Sequence, residues 1–228
     1  MVVEKEIKKL SPDRVICLGD IVGYAARPCE CIDLVKSNSW ETIAGNHDWA
    51  SGGKIDTTSF NPYAQEAILW TRKIIQPEHQ TFLANFPLSL KDSNFICAHS
   101  GLSEQDKFHY LDNYQSIYEE FSLLRKADSH ILFVAHTHIS AAFIYKAENL
   151  YRDYSQEVIL SPQYHYIINT GSIGQPRDRN PRSCFCLFDT EKSSIKFIRV
   201  EYNIKKTQEE IENAGLPLIL AARLSGGW

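Results

Sequence analysis

An α/β fold follows from three features of the sequence. Up to Ala135, short apolar runs rich in β-formers alternate with segments of helical periodicity, the pattern of strand, helix, strand units with parallel pairing. After His138 the runs come at short intervals with turn residues between them, which predicts a mainly antiparallel second half. Four of the early runs also stop at an Asp, Asn or His. In open α/β sheets, sites form in the crevice at the carboxyl ends of strands.

The elements follow in order. Residues 4–10 alternate charge with Ile7 and Leu10 and read as a helix, broken by Ser11-Pro12-Asp13. Residues 14–18 read as a buried strand stopped by Gly19-Asp20. Residues 28–36 can form a helix with Ile32 and Val35 on one face, leading to the strand before Gly45. Asn61-Pro62 is a strong helix start, with Ala64, Ala67, Ile68, Thr71 and Ile75 along one face, and another helix follows Pro77. Leu88 and Leu90, a polar turn, and residues 94–98 read as paired strands, the second ending in His99. Residues 112–126 carry Tyr114, Ile117, Tyr118, Phe121 and Leu124 at helical spacing. Residues 130–135, the most apolar strand candidate, run into His136-Thr137-His138. Strands are then expected at 142–145, 158–160, 166–168, 184–188 and 195–200, and helices at 203–213 and 216–224.

At 228 residues and 43% hydrophobic, the chain can bury one sizeable core, so one domain over 1–228 is expected. The formal net charge of −4 and the lack of a Lys/Arg-rich block leave no electrostatic footprint for nucleic acid or an anionic membrane. The six cysteines fall mostly in apolar runs without paired C-x-x-C spacing and read as reduced core thiols. The start of the sequence has no apolar signal region, and no stretch approaches the roughly 20 apolar residues of a membrane span, so a cytoplasmic location is expected.

The candidate chemistry lies at Asp20, Asn46 with His47 and Asp48, His99, and His136 with His138. Gly45-Asn46 with Asp48 nearby is also ordinary turn chemistry, and a lone Asp or His at a strand end is usually structural. Four such endings together favour a shared site. Two imidazoles after a buried strand would otherwise face costly burial, and in extended backbone His136 and His138 would point the same way. The set mixes oxygen and imidazole without thiolate, which suits Mn, Fe or Zn in an open site. Two ions about 3.5–4 Å apart would suit in-line displacement at phosphorus. The stretch 169–177 offers backbone amides and Arg177 to an anion, although a plain Gly/Pro loop explains it as well. His79, His109, His130 and His165 lack this context and read as structural or surface residues.

The motifs Gly19-Asp20-Ile21-Val22-Gly23, Gly45-Asn46-His47-Asp48, Ala98-His99-Ser100 and Ala135-His136-Thr137-His138 resemble, in this order, those of the calcineurin-like metallophosphoesterases. The stretch 169–177 and Gly215-Leu216-Pro217 are similar to a bacterial branch labelled diadenosine-tetraphosphatase-like or phosphodiesterase-like. The resemblance implies a two-layered β-sandwich of mixed sheets flanked by helices. It implies hydrolysis of a phosphodiester, phosphomonoester or nucleotide by a metal-bound hydroxide, with two divalent ions, Mn or alternatively Fe or Zn. Asp20 would bridge the ions, Asn46, His99 and His136 would hold one, and His138 would serve the other. His47 would donate a proton to the leaving oxygen, with Asp48 orienting it.

Two departures stand out. Ala135 occupies a place where glycine is usual, and no strand ending in Asp-x-His precedes Asp20. The first strand and two ligands of the ion served by His138 are therefore expected to be missing and the second metal site incomplete. The alternative reading is a weak or inactive member acting as a binding or scaffold protein. The expected partner is a small phosphoester substrate, without nucleic acid or membrane, and exposed strand edges leave room for a homo-oligomer.

Overall fold

The computed structural model describes residues 2–228. Helix α1 (Val2–Leu10) leads into a parallel unit of β1 (Ile16–Cys17), α2 (Pro28–Ser37) and β2 (Glu41–Thr42), with Ile16 opposite Glu41. A short helix α3 (Asn46–Ser51) follows at once. Helix α4 (Pro62–Ile74) starts where Asn61-Pro62 predicts, since Asn61 Oδ1 accepts from Ala64 N at 3.0 Å. Helix α5 (Pro77–Ala84) and the antiparallel pair β3 (Ser89–Lys91) and β4 (Ile96–Ala98) come next. Helix α6 (Tyr114–Lys126) is capped by Asn113 and precedes β5 (Ile131–Val134).

The remaining strands are β6 (Ala141–Lys146), β7 (Asn149–Asp153), β8 (Glu157–Ile159), β9 (His165–Asn169), β10 (Ser183–Asp189) and β11 (Ser194–Val200). Helices α7 (Ile204–Asn213) and α8 (Leu218–Gly226) end the described chain. The large sheet has the order β3-β4-β5-β9-β6-β7, and a second sheet has the order β10-β11-β8.

Strand β5 shows how the layers are held. Alternate residues of a strand point to opposite faces. Ile131 and Phe133 pack with Val158, Cys184, Ile195 and Phe197 of the second sheet, while Leu132 and Val134 pack with Ile117, Phe121 and Leu124 of α6. The result is the mixed α/β sandwich flanked by helices that the resemblance implies. The six cysteines are unpaired; Cys97 and Cys184 are buried in the core, whereas Cys17, Cys29, Cys31 and Cys186 are half-buried. No helix among the described residues is long and apolar enough to cross a membrane.

At two places the structure differs from the reading of the sequence. Strand β7 is absent from the sequence reading because the turn before it, Ala147 (φ 47°) and Glu148 (φ 63°), is left-handed at both positions without the Gly or Asn that normally announces such a turn. The second half is mainly antiparallel as expected, with β6 pairing β7 and β9 and β11 pairing β10 and β8 in that sense, while β9 also pairs parallel with β5. His136 (φ 56°) and His138 (φ 62°) lie in a left-handed loop after β5 instead of extended backbone.

Candidate active site

The loops after β1, β2, β4 and β5 meet at one place. Asp20 Oδ1 accepts from His47 N at 2.9 Å, and Asp20 Oδ2 lies 3.3 Å from His99 Nε2. His99 Nδ1 donates to Leu18 O at 2.6 Å, which leaves Nε2 turned toward Asp20. His136 Nδ1 lies 3.2 Å from the same Nε2. The close approach of the first two loops needs Gly45, because a Cβ there would lie 2.0 Å from Asp20 Oδ1.

These distances fit a divalent metal ion. Two donors on one ion, each about 2.1 Å from it, are about 3.0–3.4 Å apart, and the two donor separations just given fall in that range. Asp20, His99 and His136 offer atoms that all lie within 4.8 Å of one another. Asn46 Oδ1 is buried with no hydrogen-bond partner among the described residues, a lone acceptor that a cation would satisfy. The second ring nitrogen of His136, Nε2, is also buried and unpartnered.

The electrostatics follow from burial and Asp20. Burial works to raise Asp20, but neighbouring His99 and His47 outweigh it and hold the carboxyl well below the usual range. Burial lowers His47 to about 4, and His136 and His138 to about 3. These three rings are thus neutral near pH 7, the form that can ligate a metal. For His99 burial also pulls down, yet the charge and hydrogen bond of Asp20 raise it.

Asp48 does not orient His47. Its oxygens accept from the backbone amides of Asp20 at 2.6 Å, Ile21 at 3.0 Å and Gly45 at 3.0 Å. Because Asp48 sits in the first turn of α3, its carboxylate folds back onto these orphan amides and clamps the Asp20 loop to the Gly45 loop. His47 Nδ1 is buried and unpartnered.

His138 lies beside the cluster without joining it, its Nδ1 donating to Gln175 O at 2.7 Å. Among the described residues, no second group of three ligating side chains surrounds it. Neither His79, His109, His130 nor His165 belongs to the cluster. Arg177 is held by Gln175 Oε1, at 2.9 Å from Nη2 and 3.3 Å from Nε, and by Tyr24 Oη at 3.3 Å.

Several supporting residues escaped the sequence reading. Tyr24 lies against His47 with ring centroids 4.4 Å apart, and Tyr110 stacks on His136 at 4.1 Å. Asn169 Nδ2 donates to Ala135 O and Thr137 Oγ1 and so braces the histidine loop. Buried Glu120 of α6 accepts from Leu102 N and Ser103 N, fixing the chain just beyond His99. None carries a local signal, since each partner is distant in sequence.

A family model described as calcineurin-like phosphoesterase matches residues 1–169. An uncharacterized protein of Methanocaldococcus jannaschii is 35% identical over 228 residues, covering 97% of this chain and 90% of its own. A metallophosphoesterase from Sphaerobacter thermophilus superposes with a TM-score of 0.81 at 32% identity, covering 100% of this chain and 94% of its own. A hypothetical protein from Pyrococcus horikoshii gives a TM-score of 0.80 at 22% identity, covering 100% and 92% respectively, a likeness of fold.

Proposed function

The chain belongs to the calcineurin-like phosphoesterase family, hydrolases of phosphoester bonds, and from that premise we propose that Asp20, Asn46, His99 and His136 hold a divalent metal ion at a site that cleaves a small phosphodiester, phosphomonoester or nucleotide. The observation that carries this reading is the spacing of 3.2 and 3.3 Å between the donors of Asp20, His99 and His136. The oxygen and imidazole donor set supports Mn, with Fe or Zn as alternatives. The ion, when bound, supplies Lewis acidity toward the phosphoryl group and the attacking water.

The side chains of this protein supply the rest. Arg177 binds a phosphoryl oxygen through Nη1, since Nε and Nη2 are committed to Gln175 and Tyr24. His47 donates a proton to the leaving oxygen. Its ring is neutral in the free protein, and an arriving phosphoester places negative charge beside it, which favours the protonated form. Asp48 fixes the distance between Asp20 and His47 through the amides it binds. His138 offers Nε2 to a second ion, its Nδ1 being held by Gln175 O.

Elemental analysis after Mn or Zn supplementation, paired with turnover of bis(4-nitrophenyl) phosphate, tests this. Wild type is expected to retain metal and His136→Ala to lose it. His47→Ala is expected to keep its metal while the rate falls by roughly 100-fold. Equal, negligible metal in wild type and His136→Ala would overturn the site assignment.

A further inference from the structure

With Asp48 committed to three backbone amides, the His47 ring is held by something else. Tyr24 lies 4.4 Å away between ring centroids, tilted by 53°, and Phe60 meets the ring edge-on at 5.2 Å. Gly23 closes the remaining side, as a Cβ there would fall 2.3 Å from His47 Nδ1. The ring is therefore held by packing, with Nδ1 unpartnered.

Tyr24 also reaches Arg177. Its hydroxyl accepts from Arg177 Nη2 at 3.3 Å, and the guanidinium carbon lies 5.6 Å from the phenol ring centroid. The same ring and that of His138 are nearly perpendicular, with centroids 6.4 Å apart. From behind, Tyr24 packs on a cluster that includes Ala67 of α4, Ile211 of α7, and Leu220 and Leu224 of α8. Arg27 strengthens that seam by pairing with Glu210 of α7.

We propose that Tyr24 is a positioning residue with two separable duties, its ring setting the angle of His47 and its hydroxyl aiming Arg177 at the phosphoester, with α7 and α8 as the support behind it. This rests on the phosphoester reading of the site. The two duties involve different atoms, so different substitutions divide them. Tyr24→Phe keeps the ring and removes the hydroxyl. Tyr24→Leu removes both.

The experiment compares wild type, Tyr24→Phe and Tyr24→Leu, all Mn-loaded. It measures kcat and KM on bis(4-nitrophenyl) phosphate, inorganic phosphate affinity by calorimetry, and crystal structures of the variants. Tyr24→Phe should keep kcat within about twofold, while KM and the phosphate Kd rise about tenfold, the loss of one hydrogen bond to a charged group. Tyr24→Leu should share that rise and also lose about 100-fold in kcat, with the His47 ring displaced in its structure. Rescue of kcat by Phe without rescue of KM is the signature of divided duties.

A Tyr24→Phe variant with wild-type KM and phosphate Kd overturns the hydroxyl's part, and one with kcat as low as Leu overturns the ring's part. If wild type itself fails to turn over any phosphoester, the functional reading fails, while the structural arm still decides. An unmoved His47 in Tyr24→Leu then refutes the proposal and a displaced one sustains the ring's part. Should the Leu variant not fold, Tyr24→Phe carries the test through its KM, kcat and phosphate Kd.

Discussion

Gly23→Ala is the most informative single substitution outside the ligand set. Gly23 has φ +132°, a conformation close to exclusive to glycine, and its added Cβ would lie 2.3 Å from His47 Nδ1 and 2.6 Å from Cγ. Ordinary contact begins at 3.4 Å, so the ring must withdraw by about 1.1 Å or the backbone must give. Backbone strain of this kind costs about 1–3 kcal/mol, which corresponds to a fall in Tm of roughly 2–12 °C for a chain of this size. Misplacing a reacting group by about 1 Å costs on the order of 100-fold in rate.

The assay is kcat on bis(4-nitrophenyl) phosphate with Tm by circular dichroism and metal by elemental analysis. The expected outcome is a rate loss of about two orders of magnitude with metal content retained. Gly53→Ala supplies the control: Gly53 also has a positive φ, of 78°, but an added Cβ meets nothing within 4 Å. It should lower Tm while leaving kcat at the wild-type value. Wild-type kcat in Gly23→Ala would refute the reasoning, because His47 would then tolerate displacement or play no part in the reaction.

Two further predictions concern the scaffold around the site. Asp48→Ala leaves the amides of Asp20, Ile21 and Gly45 without their acceptor, so stability should fall by at least about 2 kcal/mol in denaturant titration and the metal should be lost with it. A variant that loses rate alone, with unchanged stability, would return Asp48 to the role of orienting His47. Asp178, bonded to Ser140 and Arg199, should give an acid-dependent contribution to stability. Burial tends to raise its pKa, but the hydrogen bond from Arg199 outweighs this and lowers it. A lowered folded pKa stabilises above the unfolded value of about 3.9 and ceases to do so as pH falls through the folded value. The Tm gap between wild type and Asp178→Asn should therefore be full near neutrality and shrink below about pH 4, whereas a constant gap would contradict the assignment.

Much of the framework is visible in local chemistry. Asn61-Pro62 announces α4 because a side-chain oxygen and a fixed φ act within one turn, and the apolar run at Ile131 announces a strand buried on both faces. The four polar strand endings likewise mark where chemistry gathers, since each is a break from apolar to polar within a few residues. The partners of those endings are another matter. Asp48 neighbours His47 in sequence, which suggests that they interact, yet the first turn of α3 carries the carboxylate back to amides 27 and 28 residues away in sequence. Strand β7 forms without turn residues that would signal it, because pairing with β6 holds Ala147 and Glu148 in a conformation that neither favours alone. The residue types at the site, and their order, were set by the chain's local pattern of apolar runs and polar stops. The tertiary structure decided which atoms face one another, bringing Tyr24 between His47 and Arg177, because contacts between residues 153 positions apart depend on packing that no local preference encodes.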